Sequence, residues 1–206
     1  MAEIRRIGIF VFDGMEELDA VGPWEVLGMW TRLWPEDGWQ VFTFGAQREP
    51  VRCAKGLAIV PDHGEEDRPA LDVLVYPGGQ GTRPQVEDQQ RLDWVRDRAG
   101  EGTLMTSVCT GSLVYAAAGL LRHRPATTHW ESLAGLAELD ATIEVRAEDR
   151  FVDDGDVITA SGVSAGIDMA LHLVARLAGP LRASQVRRAM QYDPQPPVPN
   201  ADPGPR

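Results

Sequence analysis

The chain has 206 residues, 43% of them hydrophobic, with 31 acidic against 20 basic side chains and a formal net charge of -11. Nucleic acids and anionic membranes bind clustered positive charge, so this balance argues against both partners. Charges interrupt the amino-terminal segment, and no run of about 18 apolar residues occurs, which predicts a cytoplasmic protein without an export signal or a membrane span.

Short apolar, β-branched runs alternate along the chain with longer segments of helical period. Strands are predicted over residues 7–12, 39–45, 73–77, 104–108 and 157–160. Helices are predicted to begin around Pro23, Asp88, Gly111, Trp130 and Ala165, with another over residues 184–190. This alternation is typical of βαβ units, so we expect a single-domain α/β fold, a three-layer αβα sandwich around a mainly parallel sheet.

Three carboxylates follow the first predicted strand, in the stretch "FDGMEELDAVGPWEVLG". They lie at the carboxyl end of a strand, which is the edge where open α/β sheets bind ligands. Glu16 and Glu17 are expected to be solvated, whereas Asp19, in a loop before a helix that starts at Pro23, is the one expected to turn inward. A helix-capping or loop-bonding Asp19 fits the same spacing.

The stretch "VLVYPGGQG" ends a predicted strand at Pro77 and then places two glycines in succession. Without side chains, Gly78 and Gly79 let backbone N–H groups approach a substrate. The N–H groups of Gly79 and Thr110 would together form an oxyanion hole. An ordinary tight turn explains Pro-Gly-Gly equally well.

Cys109 follows the fourth predicted strand in "SVCTGS", directly before a helix. A sharp strand-to-helix turn that presents a nucleophile requires small residues two before and two after it, here Ser107 and Gly111. The helix amino terminus would favour the thiolate, so we expect a sulfur that is ionised near neutral pH. A buried structural cysteine is the alternative, and Cys53, which lacks this setting, is assigned to it.

From Tyr192 the chain reads "YDPQPPVPNADPGPR", which holds six of the fifteen prolines. We therefore predict one domain over residues 1–191 and an extended proline-rich tail over 192–206. Neither the two cysteines nor the four histidines show metal-ligand spacing, so no metal and no cofactor are expected. A disulfide is not expected either, because a reducing compartment keeps thiols free.

Four segments in this order carry a family resemblance. They are "VLVYPGGQG", "TSVCTGSLVYAAAGLL", "ATTHW" at residues 126–130 and "SGVSAGIDMALHL" at residues 161–173. The sequence from residue 7 to residue 197 resembles the ThiJ/PfpI superfamily, a branch of the flavodoxin-like, class I glutamine-amidotransferase-like fold. The resemblance implies a cysteine nucleophile and a homodimer.

Within that superfamily, "LDAVGPWEVL", Thr110 and "QYDPQPP" are similar to members that hydrate isocyanides to N-substituted formamides. The resemblance implies that Cys109 is the nucleophile, Asp19 the essential acid and Thr110 a neighbour that affects activity. A thiolate can add to an isocyanide carbon to form a thioimidate, with Asp19 supplying a proton or orienting water. A small apolar substrate requires an apolar pocket, for which Trp24 and Trp130 are candidates; a position in the hydrophobic core is the alternative for each and the expected one for either alone.

Other members of the superfamily define the alternatives. The cysteine protease branch has a histidine directly after the nucleophile, where this chain has Thr110, and deglycase and glyoxalase-like members have a glutamate at the position of Asp19. His129 would either orient the thiol or bond the backbone. Two other functions stay open: an amidase-like domain that binds small molecules, as in transcription regulators, and a redox sensor in which Cys109 is oxidised.

Overall fold

The computed structural model describes residues 4–194. Its strands are β1 (Arg5–Phe10), β2 (Trp39–Gly45), β3 (Val51–Arg52), β4 (Ala58–Ile59), β5 (His63–Gly64), β6 (Val73–Tyr76), β7 (Leu104–Val108), β8 (Pro125–Ala126), β9 (Glu144–Val145), β10 (Phe151–Asp153) and β11 (Val157–Ala160). Its α-helices are α1 (Glu17–Leu33), α2 (Thr82–Gln85), α3 (Gln89–Gly100), α4 (Gly111–Ala117), α5 (Leu133–Leu139), α6 (Ala165–Ala178) and α7 (Pro180–Ala189).

The central sheet has seven strands in the order β10-β11-β7-β6-β1-β2-β5. All neighbours pair in parallel except β10, which runs antiparallel to β11 at one edge. Strands β6 and β11 are buried along their whole length, as expected for a parallel sheet with helices on both faces. Because β1, β6 and β7 are adjacent and parallel, the loops after them meet at one edge of the sheet.

Helices cover both faces of this sheet. α1, α6 and α7 pack against one another on one face, and α2 to α5 form the layer on the other. The expected three-layer αβα architecture is therefore confirmed. Within residues 4–194 no helix combines the length and the apolar character that crossing a bilayer requires. The cytoplasmic location stays a prediction.

Helix α1 begins at Glu17, six residues before the predicted start at Pro23, so that prediction is wrong. Asp19 consequently lies in the first helical turn and not in a loop. Acidic side chains are favourable in a first turn, which supports the earlier start. Pro23 leaves the Asp19 carbonyl without its helical N–H donor, but it packs tightly against α6, where a Cβ on Gly166 would lie 3.2 Å from Pro23 Cγ.

The other differences from prediction are at element ends and in short strands. The last helix begins at Pro180 instead of residue 184, and the helix expected at Trp130 starts as a 3-10 turn, Trp130–Ser132. The short strands β3 to β5 and β8 to β10 were not predicted, because two or three residues carry too little periodicity. Residues 195–206 of the predicted tail lie outside the described residues; Tyr192 to Pro194 form neither helix nor strand.

Two leucines of α1 offer a matched test of this packing. Leu27 is fully buried in the core and Leu33 is 51% exposed. Leu27→Ala should lower the free energy of unfolding by about 2–5 kcal/mol, because it removes buried methyl groups and leaves a cavity. Leu33→Ala should change it by less than about 1 kcal/mol. Urea unfolding followed by circular dichroism measures both, and equal losses would contradict the placement of α1.

Candidate active site

Cys109 sits between β7 and α4 with a backbone φ of 56°. This left-handed conformation is uncommon for a residue other than glycine, and the surrounding structure must hold it in place. Thr128 Oγ1 and Ser112 Oγ donate hydrogen bonds of 2.9 and 3.1 Å to the Cys109 carbonyl. A Cβ on Gly111 would lie 2.3 Å from the Tyr76 carbonyl oxygen, so only glycine fits there. The strand-to-helix turn therefore depends on local small residues.

Asp19 is completely buried beside this turn. Its Oδ2 accepts a 2.9 Å hydrogen bond from the Gly78 N–H. Burial raises the pKa of Asp19 to about 7. The Gly78 N–H bond, the neighbouring Cys109 thiol and the charge of Lys55 oppose this rise, and the Glu16 charge adds to it. Asp19 can therefore gain or lose a proton near neutral pH.

The Cys109 thiol is held in its protonated form. Burial raises its pKa to about 12; the Asp19 charge adds to the rise, and the N–H groups of Thr110 and Val163 oppose it. The expectation of a thiolate near neutral pH is thus wrong, because α4 has only seven residues and desolvation outweighs its dipole. As pH rises, Asp19 therefore ionises before the Cys109 thiol does.

The two glycines after β6 support the site through their backbone. Gly78 donates to Asp19, and Gly79 donates a 2.9 Å hydrogen bond to Thr110 Oγ1. A Cβ on Gly78 would lie 2.4 Å from the Thr110 nitrogen, which explains the need for glycine. Since both N–H groups already have acceptors, neither glycine offers a free donor, and their role as oxyanion donors stays a prediction. The N–H groups next to the sulfur belong to Thr110 and Val163.

A cavity of about 260 Å³ opens above Cys109. Besides Cys109 and Thr110 of the turn, its polar lining side chains are Glu16, Gln80, Arg83, His129, Glu131 and Ser132. Trp24 and Trp130, the candidates for an apolar pocket, are absent from this lining. Trp24 lines two separate grooves along α1, and Trp130 is 65% exposed. Neither candidate tryptophan therefore lines the cavity at Cys109.

Lys55, the single lysine of the chain, joins the site from the turn between β3 and β4. Its ammonium pairs with Glu16 and lies 3.7 Å from Glu17 Oε2, while its N–H donates to Glu17 Oε1 at 2.5 Å. Both glutamates are consequently half-buried, not solvated as predicted. Lys55 was not predicted as a site residue. The feature that could have indicated it is that it is the single lysine of an acidic chain, two residues after Cys53.

His129 lines the cavity, and its ring packs against the backbone near α6. A Cβ on Gly162 would lie 2.4 Å from His129 Cδ2. The ring Nδ1 accepts a 3.4 Å hydrogen bond from the Glu131 N–H. His129 therefore bonds the backbone, which is one of its two expected roles; the other was to orient the thiol.

The fold and these residues define an α/β protein with a buried cysteine–aspartate pair at the carboxyl edge of a parallel sheet. The DJ-1/PfpI family model matches residues 5–176, and the chain belongs to this family. The chain is 40% identical to isonitrile hydratase from Pseudomonas putida over 96% of its own length and 83% of that protein.

Two further relatives extend the comparison. A ThiJ/PfpI family protein from Pseudomonas syringae superimposes with a TM-score of 0.84 at 36% identity, covering 95% of this chain and 78% of that one. The HTH-type transcriptional regulator GbdR of Pseudomonas aeruginosa is 29% identical over 92% of this chain, which spans 51% of the regulator. The predicted superfamily and fold are confirmed.

The raised pKa of Asp19 predicts a distinctive pH dependence of stability. A carboxyl whose pKa is higher in the folded state stabilises at low pH and loses that contribution as pH rises toward its folded pKa. From pH 5 to pH 8 the wild type should therefore lose about 3 kcal/mol of unfolding free energy relative to Asp19→Asn. Urea unfolding of both proteins across this range measures the difference.

Asp37 provides the matched control. Its pKa is lowered mainly by a hydrogen bond from Arg182, at 2.6 Å, so its stabilising effect is lost only as pH falls through that lowered pKa. Asp37→Asn should thus cost a constant amount between pH 5 and pH 8. A constant difference for Asp19→Asn as well would contradict the raised pKa of Asp19.

Proposed function

We propose that the protein hydrates isocyanides to N-substituted formamides, with Cys109 as the nucleophile and Asp19 as its proton partner. The observation that carries the proposal is the placement of Cys109 and the buried Asp19 against the same residue, Gly78, at the carboxyl edge of the sheet, where burial raises the pKa of both groups. Forming a thioimidate from an isocyanide requires one sulfur nucleophile and one proton, and this pair supplies both. The 40% identity to isonitrile hydratase supports the same chemistry.

In the first step the thiol proton passes to the ionised Asp19 as the sulfur attacks the isocyanide carbon. A C–S bond forms, and Asp19 returns the proton to that carbon, which gives a thioimidate, R–N=CH–S–Cys109. Asp19 is ionised again at the end of this step. The N–H groups of Thr110 and Val163, which oppose the rise in the thiol pKa, stabilise the charge that develops on the sulfur.

In the second step water adds to the thioimidate carbon, with Asp19 taking a proton from the water. Asp19 passes this proton to the nitrogen, which gives the tetrahedral adduct R–NH–CH(OH)–S–Cys109. The C–S bond then breaks while the hydroxyl proton passes to Asp19, and the product R–NH–CHO leaves. The thiolate then regains its proton from Asp19. Thr110 positions the site: its hydroxyl oxygen accepts hydrogen bonds from the Gly79 N–H and from Thr82 Oγ1, at 2.9 and 3.1 Å.

Formamide formation from a neutral alkyl isocyanide tests the proposal directly. Cys109→Ala should reduce kcat/KM by about a thousandfold or more, because the nucleophile is gone. Asp19→Asn should reduce it by about 100-fold or more through loss of proton transfer. Cys53→Ala, at a buried cysteine outside the cavity, is the matched thiol control and should keep wild-type turnover.

The pH profile distinguishes this mechanism from a simple thiolate. Because the reaction needs the form of the pair that holds one proton, wild-type kcat/KM should rise through about pH 7, where Asp19 ionises. Absence of turnover over several isocyanides would refute the function. Full activity of Cys109→Ala would refute the mechanism and leave the function standing.

We also propose that the protein is a homodimer formed through an exposed apolar patch. The patch consists of Leu18, Val21 and Trp24 on α1 with Leu57 and Val60 beside β4; they are between 36% and 65% exposed. Contiguous exposed apolar surface of this kind marks association sites, and a two-fold axis would bury it against the same patch of a second copy. The patch adjoins the Lys55 turn, so the partner would lie near the cavity.

A charged residue in this patch should disrupt the dimer. Val60→Glu should shift the sedimentation of the protein from dimer to monomer, because it places a charge inside an apolar interface. Leu181→Glu is the matched control, since Leu181 is 73% exposed on α7 and lies outside the patch. A monomeric wild type, or a dimeric Val60→Glu, would contradict the proposal.

A further inference from the structure

An exposed cationic side chain, Arg83, stands at the wall of the cavity above Cys109. Within residues 4–194 its guanidinium makes neither a hydrogen bond nor a salt bridge with another side chain or with the backbone. A guanidinium offers five N–H donors in a planar fork that matches a carboxylate. Arg83 is thus available for a ligand.

The anionic side chains of the same cavity are already compensated or solvated. The Glu16 carboxylate pairs with Lys55. Glu131 is 56% exposed at its side chain and lies 3.7 Å from His129 Nδ1, so water screens its charge. Arg83 is therefore the charged side chain of this lining that is left without a protein partner within residues 4–194.

The backbone that carries Arg83 is fixed next to the nucleophile. Thr82 Oγ1 donates hydrogen bonds to the Gly79 carbonyl at 2.8 Å and to Thr110 Oγ1 at 3.1 Å. The residue after Thr82 consequently starts from a defined position at the wall. Cys109 and Arg83 line the same cavity of about 260 Å³, so a ligand whose isocyanide carbon faces Cys109 shares this space with the Arg83 side chain.

We propose that the preferred substrates are small isocyanides that carry a carboxylate, and that Arg83 binds this carboxylate. The inference rests on the proposed function and names its substrate class. Isocyanoacetate is the simplest example: addition of one water gives N-formylglycine, with no oxidation or reduction. The net charge of -11 slows the approach of an anion, so Arg83 acts on the bound state, where a short-range ion pair is least screened.

Competition between two substrates of similar size provides the test. For the wild type, kcat/KM should be higher with isocyanoacetate than with the neutral propyl isocyanide. Arg83→Ala should lower the ratio of the two values by about tenfold, and Arg83→Lys should restore part of it. Arg187→Ala, which removes the same charge from exposed α7, should keep the wild-type ratio.

Product binding separates this inference from the function itself. By calorimetry, N-formylglycine should bind the wild type more tightly than N-propylformamide, and Arg83→Ala should weaken N-formylglycine by about tenfold. If the protein hydrates propyl isocyanide but the ratio of kcat/KM for isocyanoacetate to kcat/KM for propyl isocyanide does not depend on Arg83, the inference is overturned and the function stands. Arg83-dependent N-formylglycine binding without hydration of any isocyanide would overturn the function and the substrate class together, and leave only a carboxylate site.

Discussion

The hydrogen bond from the Gly78 N–H to the buried Asp19 carboxyl joins the parts of this site. Asp19 belongs to the first turn of α1, and Gly78 follows β6, 59 residues later. Burying a carboxyl without full compensation is costly, and the cost appears as a pKa near 7. The same contact fixes the start of α1 against the turn that also supports Thr110.

Parallel strand order explains why these distant residues meet. β1, β6 and β7 are neighbours, so the segments after them, with Asp19, Gly78 and Cys109, emerge at one edge. Each segment depends on close backbone approach: Gly78 touches Thr110, and Gly111 touches the Tyr76 carbonyl. The site is therefore a consequence of sheet topology combined with glycine at two positions, and it needs no long loop to assemble it.

Patterns within a few residues of the sequence predicted most of the fold, whereas contacts between distant segments could not be predicted from it. The five long strands and the turn at Cys109 follow from apolar runs and from small neighbours, which are read within a few residues. The early start of α1 could not be predicted in this way, because a proline favours the first turn of a helix. Pro23 instead lies inside α1, where it packs on Gly166. The contact of Lys55 with Glu16 depends on a turn of a hairpin whose strands have two residues each.

The direction in which the pKa of Cys109 is shifted bears on whether the protein acts as an enzyme or as a redox sensor. A short helix and two N–H groups favour the thiolate, but burial and the Asp19 charge outweigh them and raise the pKa to about 12. Peroxide reacts with thiolates, so a raised thiol pKa lowers the fraction of Cys109 that is open to oxidation at neutral pH. In the proposed mechanism the sulfur loses its proton to Asp19 only as it attacks the substrate, so this mechanism does not need a resting thiolate.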